Sequence, residues 1–198
     1  MLKNLMIVCF LIFQGSFSDA PNTSLSFAII LHDKVVGSLE STQITKDGIT
    51  YYQSSTNIKT RLIKDVLVNY KYAVEFDNDL LKKANVAITV NKKPHAKTNT
   101  KWIDNHYLVI KNEKKETTLN NKISYTTILL YFKEPVNINS CYSEQDGSFN
   151  TIVSLGNHSY KKINSKGKEN TYYYKNGILK KATINGGLIS FEMIAREQ

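Results

Sequence analysis

Between Asp65 and Asp77 the sequence alternates with a period of two. Val66, Val68, Tyr70, Tyr72, Val74 and Phe76 share one parity, while Asp65, Asn69, Lys71 and Glu75 fall on the other. A helix, turning about 100° per residue, would not set those charges opposite those rings. A strand sends alternate side chains to opposite faces, so this stretch reads as a half-buried strand with one wet face.

The pattern recurs along the chain. Strands are expected at 25–31 and 35–45 around a turn at His32-Asp33-Lys34, and at 49–59 after Asp47-Gly48. Asn78-Asp79 turns the chain into a return strand through Leu80, Ala84, Val86, Ile88 and Val90. Further strands are expected at 97–103 and 106–111 around Asp104-Asn105, and at 149–155 through Phe149, Thr151, Val153 and Leu155. Segments 171–175, 178–184 and 188–194 complete the set, punctuated by Asn176-Gly177 and Asn185-Gly186-Gly187. Pro21, Pro94 and Pro135 fall at expected boundaries. Short connections favour pairing of sequence neighbours, an antiparallel meander. Residues 78–86 and 176–184 resemble one another, which suggests two similar hairpins at corresponding places.

One segment departs from this period. Tyr125, Ile128, Leu129 and Phe132 are spaced i, i+3, i+4, i+7, which predicts a helix of about two turns over 124–132. Ser124 or Thr126 would cap it and Glu134-Pro135 would end it. The continuous apolar run 128–132 leaves a buried strand as the competing reading.

Residues 1–18 have the layout of a secretory signal peptide: Lys3, an apolar run from Leu5 to Phe13, then small residues before a cleavage point after Ser18. The run is too short for a membrane-spanning helix, which needs about 20 residues. Residues 19–24 read as a polar lead-in and 25–198 as a single domain. Val8 before Cys9 is wrong for lipidation, and with Cys9 removed Cys141 has no disulfide partner. A soluble periplasmic or secreted protein is expected.

The formal net charge is +9. Arg61 and Arg196 are the only arginines, and the lysines are scattered, with no run longer than pairs such as Lys161-Lys162. Nucleic-acid readers favour arginine forks, so the excess reads as solvated surface and no nucleic-acid partner is expected.

None of His32, His95, His106 and His158 has a second ligand at metal spacing, and no phosphate loop, hydrolase elbow or paired-cysteine motif occurs. No metal, cofactor or catalytic residue is therefore assigned. Glu134 and Glu144 form the one carboxylate pair worth weighing as a remote hydrolase, if about 5 to 9 Å apart. Otherwise they end a helix and brace a turn. The chain has 12 Tyr and 8 Phe, many on alternating positions, so a curved sheet could hold an apolar ligand against the helix. Tyr70, Tyr72, Phe76, Tyr125, Leu129, Phe132, Glu134 and Glu144 are the candidate ligand-binding residues.

Three segments, 130–135 (Leu-Tyr-Phe-Lys-Glu-Pro), 143–147 (Ser-Glu-Gln-Asp-Gly) and 170–177 (Asn-Thr-Tyr-Tyr-Tyr-Lys-Asn-Gly), resemble a family of small exported bacterial proteins of unknown function. Val36-Gly37 and Ser54-Ser55 look similar as well. The resemblance implies a strongly curved antiparallel sheet around a short helix. Its architecture is similar to the periplasmic lipoprotein carriers, which hold acyl chains in a concave face, and it transfers no catalytic residue. The expectation is thus an all-β, incomplete β-barrel of roughly ten to twelve strands with one short helix. It would act as a non-enzymatic binding protein for a lipid-like ligand, or as an interaction module for a cell-envelope protein.

Overall fold

The computed structural model describes residues 22–61, 65–186 and 189–196. The expected signal peptide, Pro21 and the Gly187-Leu188 part of the last turn lie outside the described residues. The chain is all-β. Eight strands come first: β1 (Thr23–Leu31), β2 (Lys34–Lys46), β3 (Ile49–Arg61), β4 (Asp65–Asp77), β5 (Leu80–Val90), β6 (Lys93–Ile103), β7 (His106–Lys111) and β8 (Lys115–Leu119). A single helical turn, α1 (Leu129–Phe132), precedes β9 (Ser140–Ser143), β10 (Ser148–Gly156), β11 (Ser159–Ile163), β12 (Glu169–Lys175), β13 (Ile178–Asn185) and β14 (Ser190–Ala195).

All fourteen strands form one antiparallel sheet in the order β8-β7-β6-β5-β4-β3-β2-β1-β14-β13-β12-β11-β10-β9. Two meanders are therefore joined where β1 pairs with β14, from Phe27 opposite Ala195 to Ile30 opposite Glu192. The edges, β8 and β9, are not paired with each other. The sheet nevertheless curls far enough for the Thr100 hydroxyl in β6 to meet the Tyr142 hydroxyl in β9 at 2.7 Å. The result is an incomplete barrel. Alternating strand direction puts turns 47–48, 78–79, 104–105, 157–158 and 176–177 at one end, called the lower. Turns 91–92, 145–147 and 164–168 lie at the upper end. Asp104-Asn105 and Asn176-Gly177 take positive φ at both central positions (44° and 72°, 53° and 74°), the backbone whose twist suits a two-residue hairpin.

Several details depart from the sequence reading. Among the described residues strands number fourteen rather than ten to twelve, the sequence reading having passed over β8, β9 and β11, which are only 5, 4 and 5 residues long. Strand β1 begins at Thr23, inside the expected lead-in. Pro94 is the second residue of β6, beside a bulge between Ile88 and Thr89 where a missing N–H is tolerated. The helix is one turn, not two, and Ile128 at its start makes no side-chain cap bond. The reason is tertiary. Before α1 the chain lies beside β9, with Thr126 bridged to Tyr142 and the Tyr125 carbonyl accepting the Tyr142 amide. Those partners satisfy the backbone groups that a longer helix would have used.

The two similar hairpins are real and share a bulge. The extra residue is Lys82 in β5 and Lys180 in β13, opposite Glu75/Phe76 of β4 and Tyr173/Tyr174 of β12. The bulge moves Leu81, not Leu80, to the inside, and Leu179 likewise; both are fully buried. In β10 the alternation runs opposite to its apolar residues. Asn150 and Ile152 point inward, while Val153 and Leu155 are 39% and 51% exposed. Gly37 sits at a β1–β2 bulge, and a Cβ there would lie 1.9 Å from the Asn57 carbonyl oxygen of β3. Strands β2 and β3 pass that point at a distance only glycine permits.

Candidate functional site

Residues 120–139 link the two edges of the sheet and run through the barrel as a plug. Ile123, Ile128 and Leu130 are fully buried there. An irregular segment cannot be buried unless its backbone is bonded, and barrel side chains and the β5 backbone supply the bonds. Leu81 N–H donates to the Ile123 carbonyl (2.9 Å), while Ile123 N–H donates to the Tyr107 hydroxyl (3.3 Å). The Tyr107 hydroxyl donates to Leu81 O and that of Tyr174 to Leu130 O, at 2.9 and 2.6 Å.

Glu144 and Glu134 brace this plug. Each Glu144 carboxylate oxygen accepts one backbone N–H, from Thr127 and Ile128, at 3.0 Å. These are the amides that open α1. Burial pushes the Glu144 carboxyl above its ordinary range, against the opposing pull of the Ile128 amide and of Lys162. Glu134 lies just beyond α1, where one of its oxygens accepts the Tyr160 hydroxyl and meets His158 Nδ1, both at 2.8 Å. Burial raises this carboxyl, but the two hydrogen bonds and the imidazole outweigh it, and the net shift is downward. The thiol of Cys141 is fully buried and pushed up to about 12 by desolvation, which leaves no thiolate at neutral pH.

The turn after β9 projects into the barrel. Gly147 has φ +64°, and a Cβ there would come within 2.7 Å of Val109 Cγ1. The Gln145 carbonyl accepts the Thr98 hydroxyl at 2.8 Å, and the Asp146 carbonyl accepts Lys111 Nζ at 2.7 Å. Side chains thus join the two meanders where no strand pairing does.

Above the plug the barrel is hollow. A cavity of about 530 Å³ opens among the upper turns, within the usual ~300–1,000 Å³ of small-ligand sites. One wall is largely apolar, with Leu39, Tyr70, Tyr72, Ile88, Phe191 and Met193, although Thr56 and His95 lie on it as well. The opposite wall carries Thr127, Ser143, Asn150 and Lys162. Lys166 and Lys168 stand at the rim, both exposed.

Of the eight candidates read from the sequence, Tyr70 and Tyr72 line this cavity. The other six lie elsewhere. Phe76 packs edge-on against Tyr52, with ring centroids 5.9 Å apart, and Tyr52 packs on Phe132 at 5.2 Å. Tyr125 and Leu129 are core residues of the plug. Glu134 and Glu144 hold its backbone in place. Asn150 and Lys162 escaped the sequence reading. The signal for Lys162 was present, because one member of any strand pair such as Lys161-Lys162 must face inward. Among the described residues no group of three or more His, Cys, Asp or Glu could hold a metal ion. None of the described helices is long and apolar enough to cross a membrane.

Comparison with solved structures gives the same architecture. The chain is similar to a beta-barrel-like protein of domain of unknown function DUF1849 from Brucella abortus, with TM-score 0.52 and 12% identity, over 89% of this chain and 95% of that one. At that identity the likeness speaks to fold alone. No functionally curated protein matches the chain. Residues 27–196, from β1 to the end of β14, match the family described as a domain of unknown function (DUF6134), and the chain belongs to that family.

Proposed function

We propose that this protein is an exported, non-enzymatic binding protein for a small amphipathic, lipid-like ligand. One observation carries the reading: the barrel holds a cavity of about 530 Å³ above a buried plug, with one largely apolar and one polar wall. A fourteen-stranded sheet encloses more space than its inward side chains fill, and the plug takes up only the lower part of it, which leaves room for a ligand above. Export is supported by the layout of residues 1–18. The non-enzymatic reading draws support from the two carboxylates, since both Glu144 oxygens and one Glu134 oxygen are engaged in bracing the plug.

The test is uptake of a neutral apolar fluorophore, N-phenyl-1-naphthylamine, by wild type and by Leu39→Trp. Leu39 is buried on the apolar wall, so the indole occupies cavity space. Wild type is expected to take up the probe, and Leu39→Trp to weaken uptake about fivefold or more with its circular dichroism unchanged. No uptake by wild type overturns the reading. A second reading, an interaction module for an envelope protein, draws on Val153 and Leu155, exposed on the outer face of β10. A pull-down from envelope extracts that loses a partner on Leu155→Lys supports it, and one that recovers no partner counts against it.

A further inference from the structure

We propose that the ligand carries an anionic head, a carboxylate or phosphate monoester, bound by Lys162 and Asn150, with its apolar remainder against Tyr70, Tyr72 and Met193. This rests on the cavity being a ligand site and names the class of ligand it takes. Asn150 is 3% exposed and lines the cavity, yet neither its Nδ2 nor its Oδ1 has a hydrogen-bond partner among the described residues. Leaving a buried amide unbonded is costly, so a bound polar atom at this point removes a standing penalty. Lys162 is 7% exposed, and its Nζ donates to the Thr127 hydroxyl at 3.2 Å.

The two side chains belong together. Lys162 in β11 pairs with Ile152 in β10, and Asn150 lies two residues along β10 on the same inward face. Diagonal neighbours of this kind stand about 7–8 Å apart, a gap one oxyanion can span between two long side chains. Acidic groups nearby are already engaged: Glu144 by the Thr127 and Ile128 amides, and Asp146 by the Ser143 hydroxyl at 3.0 Å. An oxyanion would accept from both the ammonium and the amide. A cationic head would meet a like charge, and a neutral head would gain no ion pair with the ammonium. The exposed Lys166 and Lys168 at the rim favour the approach of an anion.

Isothermal titration with four ligands of one tail length (decanoate, decyl phosphate, decanol and decyltrimethylammonium) tests this. At least one anion is expected to bind about tenfold more tightly than decanol, and the cation not at all. Whichever anion binds more tightly identifies the head. Lys162→Met is expected to bring both anions down to the level of decanol and to leave decanol unchanged. Asn150→Leu, a milder change, lowers anion affinity severalfold. Equal binding of decanol and the anions by wild type overturns the anionic head and leaves the cavity reading standing. An anion preference that survives both substitutions overturns the assignment to Lys162 and Asn150. Failure of wild type to bind any of the four overturns the cavity reading, and this inference with it.

Discussion

Glu144 and Glu134 brace the same buried segment from its two ends, in opposite electrostatic settings. Glu144 meets the opening of α1 in the interior, where desolvation dominates and its carboxyl is raised. Glu134 meets the closing end beside the lower turn that carries His158, and there a phenol and an imidazole prevail and its carboxyl is lowered. One chemical group thus has its charge disfavoured by burial at one end and favoured by its partners at the other. The difference follows from what surrounds each carboxyl rather than from the residue itself.

The largest expected effect comes from Glu144→Ala. It strips the Ile128 amide of its carboxylate acceptor and weakens the setting of Thr127, whose N–H is left with the Tyr142 carbonyl alone. Urea denaturation should show a loss of about 2–4 kcal/mol. Glu134→Ala should cost about 1–2 kcal/mol, since it leaves one buried hydroxyl, that of Tyr160, without its acceptor, while the exposed His158 can turn to water. A reversal of that order would break the comparison.

The next effect is one of sign. A carboxyl raised by folding adds stability below its ordinary value of 4.5, and that contribution is lost as pH rises through the folded value. A lowered carboxyl adds stability above 4.5 and loses it as pH falls through its folded value. In denaturation curves across pH, Glu144→Gln should therefore remove a decline on the alkaline side of 4.5. Glu134→Gln should remove a decline on the acid side. Two variants with the same slope change would refute the opposed settings. Smallest is Tyr160→Phe, expected to cost about 1 kcal/mol and to raise the Glu134 carboxyl, followed by nuclear magnetic resonance titration of its side chain. An unmoved titration would mean the phenol is not what holds Glu134 down.

How far the sequence foretold this arrangement depended on whether a signal was local. Strand β4 was legible because its inner face is apolar and its outer face charged. The inner face of β10 was not, because it borders a polar cavity wall: Asn150 shares that face with Ile152, while Val153 and Leu155 turn outward. The spacing of Tyr125, Ile128, Leu129 and Phe132 did mark a buried non-sheet segment. It overstated the helix, since periodicity registers burial without registering which partner binds each amide. Glu134 and Glu144 stood out as unusual, correctly, but their work is on the backbone. Lys162 was hidden inside a lysine pair read as solvated. There the period of two sends Lys161 outward to Glu169, 2.8 Å away, and Lys162 inward. The pairing of β1 with β14 joins strands more than 160 residues apart in sequence and left no local trace at all.

That pairing also makes the chain a closed circuit. The start of β1 and the finish of β14 lie at the same end of the barrel, with Phe27 opposite Ala195. Read from β9 to β14 and on through β1 to β8, spatial order and chain order coincide. A circular permutant that fuses the two ends and opens at 120–122 would thus be an uninterrupted meander. Every sheet contact in it would become a contact between consecutive strands, and such local topologies fold faster. In the natural order the plug is tethered on both sides, to β8 and to β9. In the permutant it would hang from β9 alone, and what then holds it inside would be the hydrogen bonds from Glu144, Tyr107, Tyr174 and Leu81.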